Sequence, residues 1–148
     1  MSDPVRIVRK MGMCPSEVGA RAEREVAYAL ARAGWQVFVP MFAPHSRVDL
    51  VALDGLVTHR VQVKSSVLRG EVISFRPFSN TGNVPRTYDG EIDAFGVYSP
   101  ELGRVFLVPI TATAARNCSL RLGPAASGQR RGIRYAADYE VGASPPRV

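Results

Sequence analysis

The sequence predicts a single α+β domain in which one N-terminal helix packs on a mixed β-sheet. Three observations lead to this fold class. Residues 16–33 have a helix-forming composition and a helical apolar period, several later segments alternate apolar and polar residues, and no internal repeat divides the chain. With 148 residues, of which 46% are hydrophobic and 22% charged, the chain is long enough to bury a core without disulfide or metal cross-links.

The helix is predicted for residues 16–33. Pro15 precedes a candidate N-cap at Ser16, and Gly34 follows the last turn as a C-terminal stop. Apolar residues recur at spacings of three and four and form a narrow stripe consisting of Val18, Ala22, Val26, Ala29 and Ala33. We expect this stripe to face the sheet.

Segments with a two-residue period predict the strands. The first three, at 35–39, 47–53 and 58–64, form a meander in which the Asp54-Gly55 turn joins the second strand to the third. Further strands are predicted at 71–75, 92–99, 104–110 and 118–122.

The remaining segments predict loops and short helices. Residues 76–90 hold the densest Pro, Gly and Asn cluster and predict a long loop of the kind that is commonly functional or mobile. Short helices are predicted within 110–115 and 133–140, so that the sheet is flanked by an N-terminal helix and short C-terminal helices.

The ends of the chain and its cysteines predict a cytoplasmic protein. The single domain is expected to span 15–141, between a loose basic arm at 1–14 and a disordered tail at 142–148. No apolar run approaches the roughly 20 residues that cross a bilayer, and the N-terminus lacks the apolar segment of a secretory signal. Cys14 and Cys118 form no CxxC pair and indicate reduced thiols, so we expect no membrane partner.

The net charge of +6 predicts a polyanionic partner, in the first place nucleic acid. The stretch between Glu101 and Asp138 contains no acidic residue but holds six arginines, which are Arg104, Arg116, Arg121, Arg130, Arg131 and Arg134. The last three of these are the first candidates for DNA contacts, because the planar guanidinium suits bidentate phosphate binding. Arg86 and Tyr88 in the predicted long loop are further candidates. A basic, solvated surface is the alternative interpretation.

Polar side chains on two neighbouring predicted strands indicate a site. In "RVQVKSS" (60–66), Gln62 and Lys64 share one face of the strand, Asp49 lies near the start of the preceding strand, and Glu23 borders the apolar stripe of the helix. Carboxylate and amide oxygens suit a hard divalent cation such as Mg²⁺, and a nearby ammonium could orient or deprotonate water or stabilise charge at phosphorus. By spacing alone, D-x12-Q-x-K matches many unrelated strand pairs, and a solvated strand face is the alternative.

The chain resembles the PD-(D/E)XK nuclease superfamily and, within it, small proteins related to group I intron-associated homing endonucleases. The likeness covers nearly the whole chain and is carried by "EREVAYALARAGWQVFVP", "RVDLVAL" with "THRVQVKSS", "YDGEIDAFGVYSPELGRVFLVPI" and "SLRLGPAASGQRRGIRYAADYE". The resemblance implies a restriction-endonuclease-like core and hydrolysis of DNA phosphodiester bonds with Mg²⁺, for which Mn²⁺ substitutes. It gives Asp49 the place of the first motif acid, Gln62 that of the second, Lys64 that of the lysine and Glu23 that of the helix glutamate. The three oxygen-bearing residues are thereby the expected metal ligands.

Two positions depart from the superfamily pattern. Val48 stands where the superfamily's name has a proline, and Gln62 replaces the usual acid, as in the homing-endonuclease branch. Because a neutral amide removes one negative charge from the site, we expect weaker metal binding.

Other polar residues near the motif have two interpretations each. The Ser65 hydroxyl either contacts the scissile phosphate of bound DNA or makes a strand-end hydrogen bond. Glu91 and Asp93 either form a second carboxylate site or, as we expect for Asp93, bond to nearby backbone. His59 alternates onto the apolar face of its strand and is expected to be a buried or edge histidine.

The leading hypothesis is a Mg²⁺-dependent DNA endonuclease that assembles as a homo-oligomer, a dimer or a tetramer, so that two active sites meet two strands. The alternative is a DNA-binding module of the same fold with weak or lost catalysis, which Gln62 keeps open. A third hypothesis, a basic structural or interaction protein, predicts that the four motif side chains point to different places. The sequence does not choose between a specific duplex site, a branched junction, a flap and a damaged end as the target.

Overall fold

A computed structural model describes residues 12–113, 116–125, 127–128 and 131–142, and within them one α-helix precedes ten strands. Helix α1 spans Pro15–Arg32. The strands are β1 (Gln36–Phe38), β2 (Leu50–Asp54), β3 (Val57–Ser65), β4 (Val67–Arg69), β5 (Val72–Phe75), β6 (Ser79–Thr81), β7 (Val84–Arg86), β8 (Ala94–Ser99), β9 (Arg104–Pro109) and β10 (Cys118–Arg121). Short 3₁₀ helices at Ile110–Ala112 and Ala136–Asp138 take the places of the predicted short helices.

Helix α1 is capped by Cys14, so the predicted N-cap at Ser16 is wrong. Pro15 occupies the first helical position, where a missing N–H leaves no hydrogen bond unmade. The Cys14 N–H donates to Glu17 Oε2 at 2.8 Å, and this hydrogen bond lowers the pKa of Glu17. Gly34 ends the helix as predicted, with a φ of 94° that an L side chain would adopt only with strain.

The main sheet has the strand order β1-β2-β3-β8-β9 and is mixed, as predicted. Strands β1, β2 and β3 form the predicted antiparallel meander, β3 pairs with β8 in parallel, and β8 pairs with β9 antiparallel. The predicted Asp54-Gly55 turn is wrong by one residue, because Asp54 pairs with Val57 and the turn is Gly55-Leu56. A second, three-stranded sheet has the order β10-β5-β4. Strand β3, which carries Gln62 and Lys64, is therefore the central strand of the main sheet.

The segment 76–90 contains a β-hairpin, so its prediction as one long loop is wrong. Strands β6 and β7 pair through a two-residue turn. Both turn residues, Gly82 and Asn83, have positive φ values of 57° and 63°, as a tight hairpin turn requires.

Two apolar clusters lie on opposite faces of the main sheet. On one face Val26 and Leu30 of α1 pack with Val61 and other buried residues of the sheet. On the other face Phe95 and its neighbours pack with the second sheet. Of the predicted helix stripe, Ala22 and Val26 are buried, whereas Leu30 takes the place expected for Ala33, which caps the helix and is exposed.

The terminal predictions fall largely on residues that the structure does not describe. Positions 1–11 of the predicted arm and 143–148 of the predicted tail lie outside the described residues. In the described part of the chain, no helix is long and apolar enough to cross a membrane.

Candidate active site

Asp49 lies one residue before β2 and is fixed against β3 by two hydrogen bonds. Its N–H donates to the Val61 carbonyl at 2.9 Å, and its Oδ2 accepts the Val63 N–H at 2.7 Å, so these bonds flank Gln62 on both sides. The carboxylate is thereby held beside the polar face of β3.

Burial raises the pKa of Asp49 to about 6. The hydrogen bond from Val63 and the charge of Lys64 lower this pKa, while the charge of Glu23 raises it. Asp49 is therefore within electrostatic reach of both Glu23 and Lys64. Lys64 itself lines a different cleft from the one that Glu23 and Asp49 share.

Glu23 and Asp49 line one cleft of about 480 Å³. The cleft lies between the middle of α1 and the segment that connects β1 to β2, and Val48 at the motif's proline position also lines it. Glu23 is exposed, so its carboxylate can move within the cleft without breaking a packed contact. The carboxylates of Glu23 and Asp49 therefore lie along the same cleft.

Gln62 carries a buried carbonyl oxygen that has no hydrogen-bond donor in the described part of the chain. Its Nε2 makes only a long hydrogen bond, at 3.4 Å, to the Val63 carbonyl. A buried hydrogen-bond acceptor without a donor costs free energy, and a bound cation would take the place of that donor. The orphaned oxygen is the feature expected of a metal ligand.

The donor set fits a hard divalent cation. Asp49 and Glu23 offer carboxylate oxygens and Gln62 an amide oxygen, which are the ligand types that Mg²⁺ and Mn²⁺ prefer. Among residues 12–113, 116–125, 127–128 and 131–142, no three His, Cys, Asp or Glu side chains are grouped to hold a metal. The amide oxygen of Gln62 is therefore the candidate for a third protein ligand beside Asp49 and Glu23.

Lys64 is held by the segment that follows β5. Its Nζ donates to the Phe78 carbonyl at 3.1 Å and to Tyr88 Oη at 3.2 Å, and it lies 4.9 Å from the centroid of the Tyr88 ring. Arg47 also stacks on this ring, with Cζ 3.8 Å from the centroid, and Phe95 packs against Tyr88 in a T-shaped arrangement. Tyr88 therefore fixes the position of the Lys64 ammonium through both its hydroxyl and its ring.

Comparison with known proteins decides the family. The family model described as PD-(D/E)XK endonuclease matches residues 13–142. The chain belongs to this family. The family assignment supports a nuclease function and the predicted restriction-endonuclease-like fold, and PD-(D/E)XK nucleases generally use divalent metal ions.

A solved structure agrees with this assignment at the level of the fold. The chain is similar to the bacterial homing endonuclease I-Ssp6803I, with a TM-score of 0.65 and 21% sequence identity over 86% of this chain and 89% of that chain. No curated protein matches the sequence.

The second pair of acids in this PD-(D/E)XK protein is bound by arginines. Asp93 accepts the Arg60 backbone N–H at 2.7 Å and its guanidinium at 2.9 Å, and these hydrogen bonds lower the pKa of Asp93. Glu91 pairs with Arg47 and Arg86. The expected backbone role of Asp93 is confirmed, and both carboxylates already have cationic partners.

The predicted DNA-contact residues that the structure describes have different local surroundings. Arg86 is paired with Glu91 at 2.7 Å, and Arg134 is half-buried, with its carbonyl accepting the Arg121 N–H at 2.8 Å. Arg131 is exposed, and Arg130 lies outside the described residues.

The structure also shows the surroundings of three other residues that the sequence analysis considered. Tyr88 is 4% exposed and packs under Lys64, so the prediction that it contacts phosphate is wrong. Ser65 follows Lys64 at the end of β3, and both line a second cleft. His59 is half-buried and packs on the Trp35 ring, with centroids 5.1 Å apart.

Sequence reasoning missed Arg47, which connects the start of the motif to the segment 76–90. Its Nη1 donates to Ser79 Oγ at 2.7 Å, its Nε pairs with Glu91, and its guanidinium covers Tyr88. The single signal in the sequence is that Arg47 lies two positions before Asp49. Its partners are more than 30 residues away along the chain, so spacing alone does not reveal the contact.

Proposed function

We propose that the protein is a DNA endonuclease that uses Mg²⁺, with Mn²⁺ as a substitute, and acts as a homo-oligomer. The observation that carries this proposal is the buried Gln62 Oε1, which lacks a donor among the described residues. The two strand neighbours of Gln62, Val61 and Val63, are the residues to which Asp49 is hydrogen-bonded. Asp49 and Gln62, joined by Glu23 from the cleft, are the proposed metal ligands.

Each side chain has a separate role in the proposed reaction. When bound, the ion polarises the scissile phosphodiester and lowers the pKa of a water molecule. Asp49 is held in place by the Val63 N–H, so it reaches the site without reorganisation. Lys64 has three N–H donors, of which Phe78 and Tyr88 occupy two. The third donor is left for a phosphate oxygen or the attacking water, where it stabilises developing charge or orients the nucleophile.

The second candidate function is a DNA-binding module with weak or lost catalysis. The observation that favours it is the neutral amide of Gln62, which removes one negative charge from the metal site. Both candidates require DNA binding, so cleavage is the measurement that separates them.

The test is cleavage of a DNA panel with Mg²⁺ or Mn²⁺ by the wild type, Lys64→Ala and Lys10→Ala. The panel contains supercoiled plasmid, linear duplex, a four-way junction and a flap. We expect the wild type to cut at least one substrate and Lys64→Ala to cut none, with DNA affinity retained within about twofold because one cation is a small share of a multi-phosphate contact. Lys10→Ala, which removes the other lysine of the chain, is the matched control and should cut like the wild type.

Two outcomes would contradict the proposal in different ways. Cleavage by Lys64→Ala at the wild-type rate would remove Lys64 from the active site. Binding without cleavage by the wild type on every substrate would favour the DNA-binding module.

A further inference from the structure

We infer that a groove beside Lys64 binds the phosphates of the DNA strand that flank the scissile bond. This inference rests on the proposed function and specifies which surface of the protein contacts the substrate. The groove has a volume of about 650 Å³. We call it the arginine groove, because its lining includes Lys64 and three arginines, which are Arg69, Arg76 and Arg116.

The three arginines come from three neighbouring strands of the second sheet. Arg69 ends β4, Arg76 follows β5, and Arg116 precedes β10. Cys118 of β10 pairs with Phe75 of β5, which sets Arg116 and Arg76 close together at one end of the sheet. The sheet thus gathers residues that are distant in sequence into one surface.

Arg69 lies toward the opposite end of β5, where it pairs with Val72. Val72 and Phe75 are three strand steps apart, a distance of about 10 Å. Three phosphate-to-phosphate steps along one DNA strand, which join four successive phosphates, also rise by about 10 Å along the helix axis. The arginines are therefore spaced to meet different phosphates.

The arginine groove carries positive charge that no acidic residue of its lining neutralises. No Asp or Glu is among its lining residues. In the described part of the chain, the guanidinium groups of Arg69, Arg76 and Arg116 make no hydrogen bond or ion pair, and all three residues are exposed. A concave surface lined by one sign of charge concentrates the field and attracts a polyanion.

Other arginines of the protein are used differently. Four of them form ion pairs with Glu or Asp, namely Arg47, Arg60, Arg86 and Arg104. The clefts elsewhere also contain acids, since the Asp49 cleft includes Glu23 and a cleft beside the end of α1 includes Glu25 and Glu140. The uncompensated charge is thus a property of the arginine groove.

Continuity with the proposed active site identifies the anion as a nucleic-acid backbone. Lys64 and Ser65 belong both to β3 of the motif and to the lining of the groove. A strand whose scissile phosphate contacts Lys64 has its neighbouring phosphates within the groove. Contacts of this kind position the strand and do not read its sequence.

The test measures the salt dependence of DNA binding without divalent metal, so that no cleavage occurs. The affinity of a fixed duplex is measured from about 50 to about 200 mM salt for the wild type and for the triple variant Arg69→Gln, Arg76→Gln, Arg116→Gln. We expect the slope of log K against log salt to shrink by about 0.9 for each lost phosphate contact, and by up to about 2.7 in the triple variant. A triple Arg→Lys variant at the same positions keeps the charge and should retain most of the wild-type slope.

The double variant Arg131→Gln, Arg134→Gln tests the surface that the sequence predicts instead. A slope that falls in this variant and is unchanged in the groove triple would overturn the inference, as would a wild-type slope in all variants. Single Arg→Gln variants, each expected to lose about 0.9, give the same answer if the triple variant does not fold. Failure of the wild type to bind DNA would overturn the proposed function as well, whereas cleavage by the groove triple with unchanged binding would overturn the groove alone.

Discussion

In the proposed metal site, Gln62 sets the balance between metal affinity and stability. The environment of Asp49 already disfavours negative charge, because burial raises its pKa to about 6 and Glu23 adds a repulsive charge. A second buried carboxylate at position 62 would increase this repulsion in the metal-free protein. An amide oxygen at this position offers a ligand without that cost, although it attracts a cation less strongly.

Substituting Gln62→Glu should therefore strengthen metal binding. We expect half-saturation by Mg²⁺ at about a tenfold lower concentration, equivalent to about 1.4 kcal/mol, and lower stability without metal. Calorimetric titration with Mg²⁺ and cleavage as a function of Mg²⁺ concentration measure the effect. Gln36→Glu, on the exposed side of β1, adds the same charge away from the site and should leave the titration unchanged. Equal metal affinity in wild type and Gln62→Glu would contradict Gln62 as a ligand.

The local part of the site could be predicted from the sequence, and its distant part could not. Asp49 and Gln62 meet because a hairpin pairs their strands, and the period-two pattern on both sides of Asp54-Gly55 predicts that hairpin. The Tyr88 hydroxyl reaches Lys64 from 24 residues away, through a segment predicted as a loop. A contact of this range depends on tertiary packing, which local pattern does not encode.

At the scale of elements, the position of α1 depends on a glycine in β8. A Cβ at Gly96 would lie 2.6 Å from Val26 Cγ1 and 3.1 Å from Val61 Cγ1, closer than atoms in a packed core approach. Both neighbours are buried, β-branched side chains that cannot rotate away freely. The close approach of the helix to the sheet also sets where Glu23 stands relative to Asp49.

Substituting Gly96→Ala should destabilise the protein by about 1–3 kcal/mol through overpacking. Guanidinium unfolding measures this change in the free energy of unfolding. Gly19→Ala is the matched control, because Gly19 is an exposed position within α1 with no atom within 4 Å of an added Cβ. It should stabilise the helix by about 0.5–1 kcal/mol. An unchanged stability in Gly96→Ala would mean that α1 shifts without loss of packing energy.

The longer elements could be predicted because each repeats its apolar-polar pattern several times. The 18-residue helix α1 and strands such as β3 and β8 repeat their pattern often enough to be identified. Strand β4 and the β6–β7 hairpin have strands of only three residues, too short to show an alternation. Their pairing is decided by the Gly82-Asn83 turn and by contact with β5.

At the scale of the whole molecule, ion pairs connect distant segments. Asp93 is held by Arg60, and Glu140 near the end of the described chain is held by Arg104 through a hydrogen bond of 2.7 Å. These contacts lower the pKa of both acids. A lowered pKa in the folded state contributes stability that is present above the unfolded pKa and is lost as the pH falls through the folded pKa. The fold should therefore weaken in acid.

Asp93→Asn tests this linkage. We expect a loss of about 1 kcal/mol at about pH 7, kept modest because the pair is partly exposed to solvent. The difference from the wild type should shrink below about pH 4 as the Asp93 carboxylate itself is protonated. Urea unfolding across this pH range measures it. Asp54→Asn changes an exposed residue at the end of β2, which pairs with Val57, and should change stability by less than about 0.5 kcal/mol. A constant difference between Asp93→Asn and the wild type would exclude the linkage.

The parallel pairing of β3 with β8 has a consequence for the order in which the enzyme is synthesised. A nascent chain that ends near residue 75 contains every residue of the proposed motif, yet β3 still lacks β8 and Lys64 still lacks Phe78 and Tyr88. The proposed site is therefore complete only after the ribosome has translated Ser99 at the end of β8. We expect a product truncated before this point to carry the proposed motif without the strand and the side chains that position it.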